Sequence, residues 1–342
     1  MKPLVFLAAF VLVATSFFVA ACGDDDGDGA SGTPAGGDER VKVVTTVAPI
    51  TSLVENIAGT RADVEGIVPE GTNSHTFEPA PSVAQVLAEA DIIFVNGLAL
   101  EEPTFELAEA NKPDSTELVR LGDLTVTEDE WEFDFSFPEE EGNPNPHLWP
   151  NVPYALRYAE IINQKLGELD ADNAAYYDEN LQKLAARLNA LDGAIAEAAQ
   201  TVPEENRKLL TYHDSWAYWA PTYGFTVIGA VQPSDFSEPS PREVADLIDQ
   251  VQEENIPAVF GSEVFPSAVL EQIASEADSE FIDELRDDDL PGEPGDPEHS
   301  YIGLMLANMQ IMLPALGGNA DALADIDPSL VFEGSSPAQY PQ

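Results

Sequence analysis

YDENLQKLAARLNALDGAIAEA, residues 177–198, brings Tyr177, Leu181, Leu184, Leu188, Leu191, Ile195 and Ala198 round at alternating spacings of four and three. That rhythm draws one continuous apolar stripe along roughly six turns of α-helix. A stripe so regular has two physical outlets, a coiled-coil dimer or packing inside the same chain. The flanking sequence selects the second, because an α/β pattern stands on either side and the two halves must be joined and packed on something. Gly193, which costs a helix about 1 kcal/mol against Ala, reads as a point of close approach.

On the N-terminal side, strand and helix alternate from residue 41. Residues 41–47 form a β-branched run that reads as a buried strand, 48–58 as a helix, 63–68 as a short strand, and 91–96 and 118–121 as further apolar strands. Another helix starts at Ser82, whose hydroxyl, with Gln85 three residues on, matches a capping box. On the C-terminal side 208–212, 225–231 and 258–262 read as strands, 240–255 and 267–277 as helices between them, and 301–316 as a closing apolar helix. The alternation predicts an α/β fold of two lobes, each a mainly parallel sheet flanked by helices, joined by the long helix. The expected lobes span 41–169 and 202–327, the linker helix 170–201, and a loosely attached tail rich in Pro and Ser 328–342. No internal repeat stands out.

Met1 and Lys2 precede an apolar stretch, 4–19, that runs into Ala20-Ala21-Cys22, the layout of a bacterial secretory signal with a small-residue cleavage site. A cysteine at that point resembles the lipobox of bacterial lipoproteins, which implies removal of residues 1–21 and a lipid on Cys22. The apolar run is at the short limit for spanning a bilayer, which argues against a transmembrane anchor. Cys22 is the only cysteine, so disulfides, thiolate metal sites and thiol nucleophiles are excluded once it is acylated. Residues 22–40, rich in Gly, Asp, Ser and Thr, read as a disordered tether.

The formal charge of −49, from 63 acidic and 14 basic residues, excludes nucleic acid as a partner. It speaks for solubility before it speaks for a metal site. Residues 123–141 hold nine of the acidic residues and no Lys or Arg. Within them Trp131, Phe133, Phe135 and Phe137 alternate with Glu132, Asp134 and Ser136, the pattern of an edge strand or hairpin arm.

Three of the four histidines stand where strands hand over to helices. His75 lies in Asn73-Ser74-His75-Thr76-Phe77-Glu78-Pro79, after the strand at 63–68. His147 lies in Asn145-Pro146-His147-Leu148-Trp149, just before a helix that starts near Val152, and His213 in Tyr212-His213-Asp214-Ser215-Trp216, directly after the strand at 208–212. Open α/β sheets bind ligands at such loops. Three neutral imidazoles suit zinc, copper, iron or nickel better than magnesium or calcium. A carboxylate from Asp287-Asp288-Asp289 is available as a fourth ligand. Glu78 either orients His75 or supports its loop. His299 reads as a surface residue, Glu263 as a carboxylate placed at the crevice, and Trp149, Trp216 and Trp219 as packing around the site.

The stretches His75-Thr76-Phe77-Glu78-Pro79-Ala80-Pro81-Ser82, Asn145-Pro146-His147-Leu148-Trp149 and Tyr212-His213-Asp214-Ser215-Trp216-Ala217-Tyr218-Trp219 resemble the three histidine motifs of the zinc/manganese (cluster A-I) solute-binding proteins of ABC transporters. Leu285-Arg286-Asp287-Asp288-Asp289-Leu290 and His299-Ser300-Tyr301-Ile302-Gly303-Leu304-Met305 continue the likeness, which covers residues 41–316 in order. The resemblance implies two lobes bridged by a rigid helix, with a metal between them on His75 and His147 from the first and His213 and Asp288 from the second. It implies Zn2+ first and Mn2+ second, since manganese members tend to carry a carboxylate where this chain has His213. It also implies a membrane permease of an ABC importer as partner, a monomer, and small loop motions rather than wide hinge opening. Where many zinc members carry a histidine-rich loop, this chain has the acidic 123–141 segment.

Two rival classes make different demands. A zinc hydrolase needs an open coordination position and a general base, and no H-E-x-x-H, G-x-S-x-G or P-loop motif is present, so no enzyme is expected. An adhesin stabilised by a structural metal would leave its metal-free form largely unfolded.

Overall fold

Single-residue alternation along each strand sets the layers of this molecule. In the computed structural model, which describes residues 40–234, 236–264 and 267–342, the chain runs β1 (Val41–Thr45), α1 (Ala48–Ala58), β2 (Ala62–Gly66), α2 (Val83–Glu89), β3 (Ile92–Val95), α3 (Glu102–Asn111), β4 (Glu117–Arg120), α4 (Leu121–Thr125), α5 (Val152–Leu169) and α6 (Ala174–Ala199). It continues through β5 (Lys208–Thr211), α7 (Trp219–Tyr223), β6 (Thr226–Ala230), α8 (Pro241–Glu254), β7 (Ala258–Ser262), α9 (Ala268–Ala277), β8 (Glu280–Leu285) and α10 (Tyr301–Ala315). The expected signal, Cys22 and nearly all of the tether lie outside the described residues.

Two four-stranded sheets result, ordered β2-β1-β3-β4 and β6-β5-β7-β8, with every pair parallel. The winding is thus the same twice over, although the sequences of the halves show no repeat. Val43, Ile92 and Phe94 face one layer while Val44, Ile93 and Val95 face the other. Leu209, Ala258 and Phe260 divide from Leu210 and Val259 in the same way in the second sheet. The inner faces of both sheets join one continuous core, so the halves are held together by shared apolar burial.

The long helix fills that shared core. Tyr177, Leu184, Leu188, Leu191, Ile195 and Ala198 are fully buried, and α6 packs on α1, α5 and α10. No seam is left for a coiled-coil partner. Gly193 is not a point of close approach, for a Cβ there would meet nothing within 4 Å. A close approach does occur at Gly303, where a Cβ would come within 1.9 Å of the Glu298 carbonyl oxygen. Ser300, which caps α10, accepts a hydrogen bond from the Gly303 N–H.

Four expectations need correction. Ser82 makes no side-chain cap bond, because its own backbone is helical; the capping boxes are at Thr127/Glu130 and Ser240/Glu243. Residues 131–137 form no strand, and their aromatic rings do not share one face: Phe137 is buried, Trp131 and Phe133 are half-buried and Phe135 is exposed. Segment 328–342 is docked: Gln339 pairs with β2 through Gly66 N–H (3.0 Å) and the Val64 carbonyl (2.8 Å), and Val331 is buried. His299 is buried rather than on the surface, packed edge-on against Tyr340 of that segment with centroids 4.6 Å apart.

Candidate metal centre

Two of the three histidine loops share one local device. Asn73 Oδ1 accepts the His75 N–H at 2.9 Å, and Asn145 Oδ1 accepts the His147 N–H at 3.0 Å. Each is an Asn-x-His turn in which the amide side chain closes on the backbone two residues ahead. His213 stands two residues beyond the end of β5, and its carbonyl accepts the Thr211 hydroxyl at 2.6 Å. His75, His147 and His213 meet, with a ring nitrogen of each within 4.8 Å of the others. His147 and His213 are buried and His75 is half-buried.

The second nitrogen of two rings is already spoken for. His147 Nδ1 lies 2.8 Å from Asn145 Oδ1 and His213 Nδ1 lies 2.7 Å from Gln232 Oε1. Asn145 is locked in that orientation, because its amide nitrogen donates to the Asp214 carbonyl (2.7 Å) and to the Asp134 carboxylate. An amide oxygen only accepts, so each Nδ1 carries a proton and each ring turns its Nε2 inward. Those Nε2 atoms are 2.9 Å apart, and His75 Nε2 is 3.1 Å from His147 Nε2. Ring nitrogens converging this closely make a donor set that one divalent cation could share. Ligand nitrogens around a tetrahedral zinc would be about 3.3 Å apart, from bonds of about 2.0–2.1 Å. Burial first, and then the neighbouring rings, hold His75 and His147 well below the usual imidazole range, so both are neutral at physiological pH.

The three aspartates of the second half are separable by what they touch. Asp287 accepts the Ser215 hydroxyl, and Asp289 accepts the Gly71 N–H at 2.6 Å. Asp288 is buried with Oδ1 unpartnered. Burial pushes its carboxyl up to about 6, with Ser74 and the His213 ring pulling the other way. Asp288 is nevertheless not within the 4.8 Å imidazole cluster.

Glu78 does not orient His75: it is exposed, and no bond joins the two among the described residues, its carboxylate being solvated on the loop. Glu263 is a loop anchor, its Oε1 accepting the Asp287 N–H at 3.1 Å. Trp149 spans the halves, edge-on to His147 at 5.1 Å while its Nε1–H donates to the Asp287 carbonyl at 3.0 Å. Trp216 and Trp219 belong to the core behind the site. Sequence reading missed Asn145 and Gln232 as orienting groups, though the repeated Asn-x-His spacing signalled the first.

The family model described as zinc-uptake complex component A, periplasmic, matches residues 43–315. The manganese-binding lipoprotein MntA of Halalkalibacterium halodurans is 30% identical over 308 residues, covering 90% of this chain and 97% of its own. The iron-binding protein YfeA of Yersinia pestis is 30% identical over 310 residues, 91% of this chain and 95% of its own. The solved periplasmic zinc-binding protein TroA of Treponema pallidum superposes with a TM-score of 0.74 at 26% identity, over 81% of this chain and 99% of its own. A nitrogen-rich site for a divalent metal, two parallel sheets around one long helix, and a match over four-fifths of the sequence lead to one statement: the chain belongs to the zinc-uptake component A family, the metal-binding receptors of ABC importers.

Proposed function

We propose that this protein is a lipid-anchored extracytoplasmic receptor that captures a divalent transition metal, zinc before manganese, and delivers it to the permease of an ABC importer. The observation that carries the reading is the convergence of three imidazoles, with Nε2 atoms 2.9 Å apart on His147 and His213 and 3.1 Å apart on His75 and His147. Three imidazoles make a donor set of borderline softness that suits zinc over manganese, which favours oxygen. His75 and His147 would serve as ligands from a first lobe, 41–169, and His213 and Asp288 from a second, 202–327, with 170–201 as the linker. Asp288 supplies the fourth ligand by a short loop movement, as the one aspartate of its run with an unpartnered buried oxygen. The manganese reading has its own support, since MntA and several further relatives are named for manganese. Lipidation at Cys22 is supported by the relatives named lipoproteins.

Competition between zinc and manganese for the metal-free protein, measured by titration, tests the proposal. Zinc should win in the wild type. His213→Ala should lose more affinity than the roughly 10–100-fold that follows loss of an outer-shell partner. A wild type that prefers manganese, or a variant that binds zinc unchanged, would refute the zinc assignment.

A further inference from the structure

His75 is the half-buried member of the imidazole cluster, and two phenylalanines pack against its ring. Phe236 stacks on the His75 ring with centroids 4.5 Å apart and 28° between planes. Phe137 lies 5.6 Å from His75 and 5.7 Å from His147, and the two phenylalanine rings are 6.3 Å apart. Phe137 is buried although it belongs to the acidic 123–141 segment. Phe236 comes from the other half and holds a left-handed backbone, φ +57°, which L side chains rarely adopt outside helix ends and functional turns.

The segment bearing Phe137 is fastened across the crevice by individual hydrogen bonds. Ser136 N–H donates to Asp214 Oδ2 at 2.9 Å and the Ser136 hydroxyl to the Gln232 carbonyl at 2.6 Å. Ser234 donates to Glu141 Oε1 at 2.8 Å, and the Glu132 N–H to the Tyr218 hydroxyl at 3.2 Å. Two of these fasteners grip Asp214 and Gln232, the first next to His213 in sequence and the second bonded to its ring. Residues 139–141 are exposed and in no sheet. Backbone outside any sheet, exposed at its tip and held by individual hydrogen bonds, opens more readily than the core strands.

From this geometry we infer that Phe137 and Phe236 form a gate, latched through Ser136, that sets the rate at which metal enters and leaves. The inference rests on the receptor reading above. A hydrated cation cannot pass two apposed apolar rings without shedding water or moving them, so the closed gate slows exchange in both directions. Opening at Ser136 also releases the Gln232 carbonyl, leaving that backbone held through its N–H on the Tyr212 carbonyl, which couples the latch to the residue that partners the His213 ring.

The test is transfer of Zn2+ from the singly loaded full chain to excess chromophoric chelator, followed by stopped flow. Phe137→Ala and Phe236→Ala should each speed release at least tenfold while still binding one zinc, and affinity should fall by less than the release rate rises, because capture quickens too. Ser136→Ala should speed release several-fold with both rings in place, and Phe236→Leu should fall between wild type and Phe236→Ala. Circular dichroism melts identify any variant that has lost its fold. Release within twofold of wild type in folded alanine variants, or an affinity loss equal to the rate gain, would overturn the gate. A wild type that takes up no zinc would remove the receptor reading and the gate with it, whereas a zinc-binding wild type with unaltered variants removes the gate alone.

Discussion

The division of labour among Asp287, Asp288 and Asp289 is decided by hydrogen bonds that one-dimensional spacing does not carry. Asp287 and Asp289 spend oxygens on Ser215 and Gly71, whereas Asp288 keeps a buried Oδ1 without a partner. An unpaired buried polar atom costs about 1–3 kcal/mol, so Asp288 is a stability liability in the metal-free chain. Asp288→Ala should therefore weaken zinc binding while leaving the metal-free melting temperature unchanged or higher. Asp287→Ala should instead lower metal-free stability by about 1–3 kcal/mol, because it orphans the Ser215 hydroxyl. Calorimetry of both metal-free variants checks this, and a larger loss of stability in Asp288→Ala would contradict it. The three histidines were legible because imidazole is scarce in this chain and each sits at a strand or helix junction. Gln232 was not: it lies 19 residues beyond His213, and only the return of β6 beside β5 brings its amide to the ring. Phe137 was misplaced for a related reason, since period-two alternation describes a strand only where a neighbouring strand accepts its bonds.

Among the elements, the exit of β3 shows a buried carboxyl used as a clamp. Glu101, just before α3, accepts the Asn96 N–H at 2.6 Å, the Thr46 hydroxyl at 2.9 Å and the Gly97 N–H at 3.3 Å. Among the described residues no cation pairs with it, and burial pushes its carboxyl up to about 7 despite those donors. Its ordinary value is 4.5, so between 4.5 and 7 the folded chain keeps a proton that the unfolded chain has released. Stability from this group is complete below 4.5 and is lost as pH rises through 7, a change on the order of 3 kcal/mol. Glu101→Gln retains the acceptor facing Asn96 and Thr46 and gives up only the longest bond. Its melting temperature should then fall less steeply than wild type between pH 5 and 7.5, and parallel pH profiles would show that Glu101 does not titrate in this window. Strands with strong apolar runs, such as β3 and β7, were legible, and so was α6. β8, Glu280–Leu285, was not, because acidic residues interrupt it and its place at a sheet edge requires only part of it to be apolar.

At the scale of the whole molecule, two identically wound sheets share one core, and segment 338–342 ties the first of them to the metal loop. Gln339 extends the edge at β2, the Pro341 carbonyl accepts the Glu70 N–H at 3.1 Å, and Gln342 donates to Glu70 Oε2 at 2.7 Å. Tyr340 donates to Glu55 Oε2 at 2.5 Å from within the first half. Glu70 and Gly71 begin the loop that reaches His75, and Gly71 is held on its other side by Asp289. The backbone that presents His75 is thus fixed between the docked segment and the aspartate run of the second half. None of this could be read from a Pro- and Ser-rich composition, since such residues dock as readily as they dangle when the backbone finds an open sheet edge. Removing residues 335–342 would expose the β2 edge, leave Glu55 and Glu70 short of partners and free the approach to His75. Several hydrogen bonds at about 1 kcal/mol each set the loss of stability at roughly 2–4 kcal/mol. Zinc affinity should fall as well, although every proposed ligand is retained, because the loop must then be ordered at the moment of binding. Tyr340→Phe, which deletes only the hydroxyl, should lower stability with little effect on zinc. Truncated protein that binds zinc as tightly as the full chain would reduce the segment to a cover for the sheet edge, with no part in holding the metal loop.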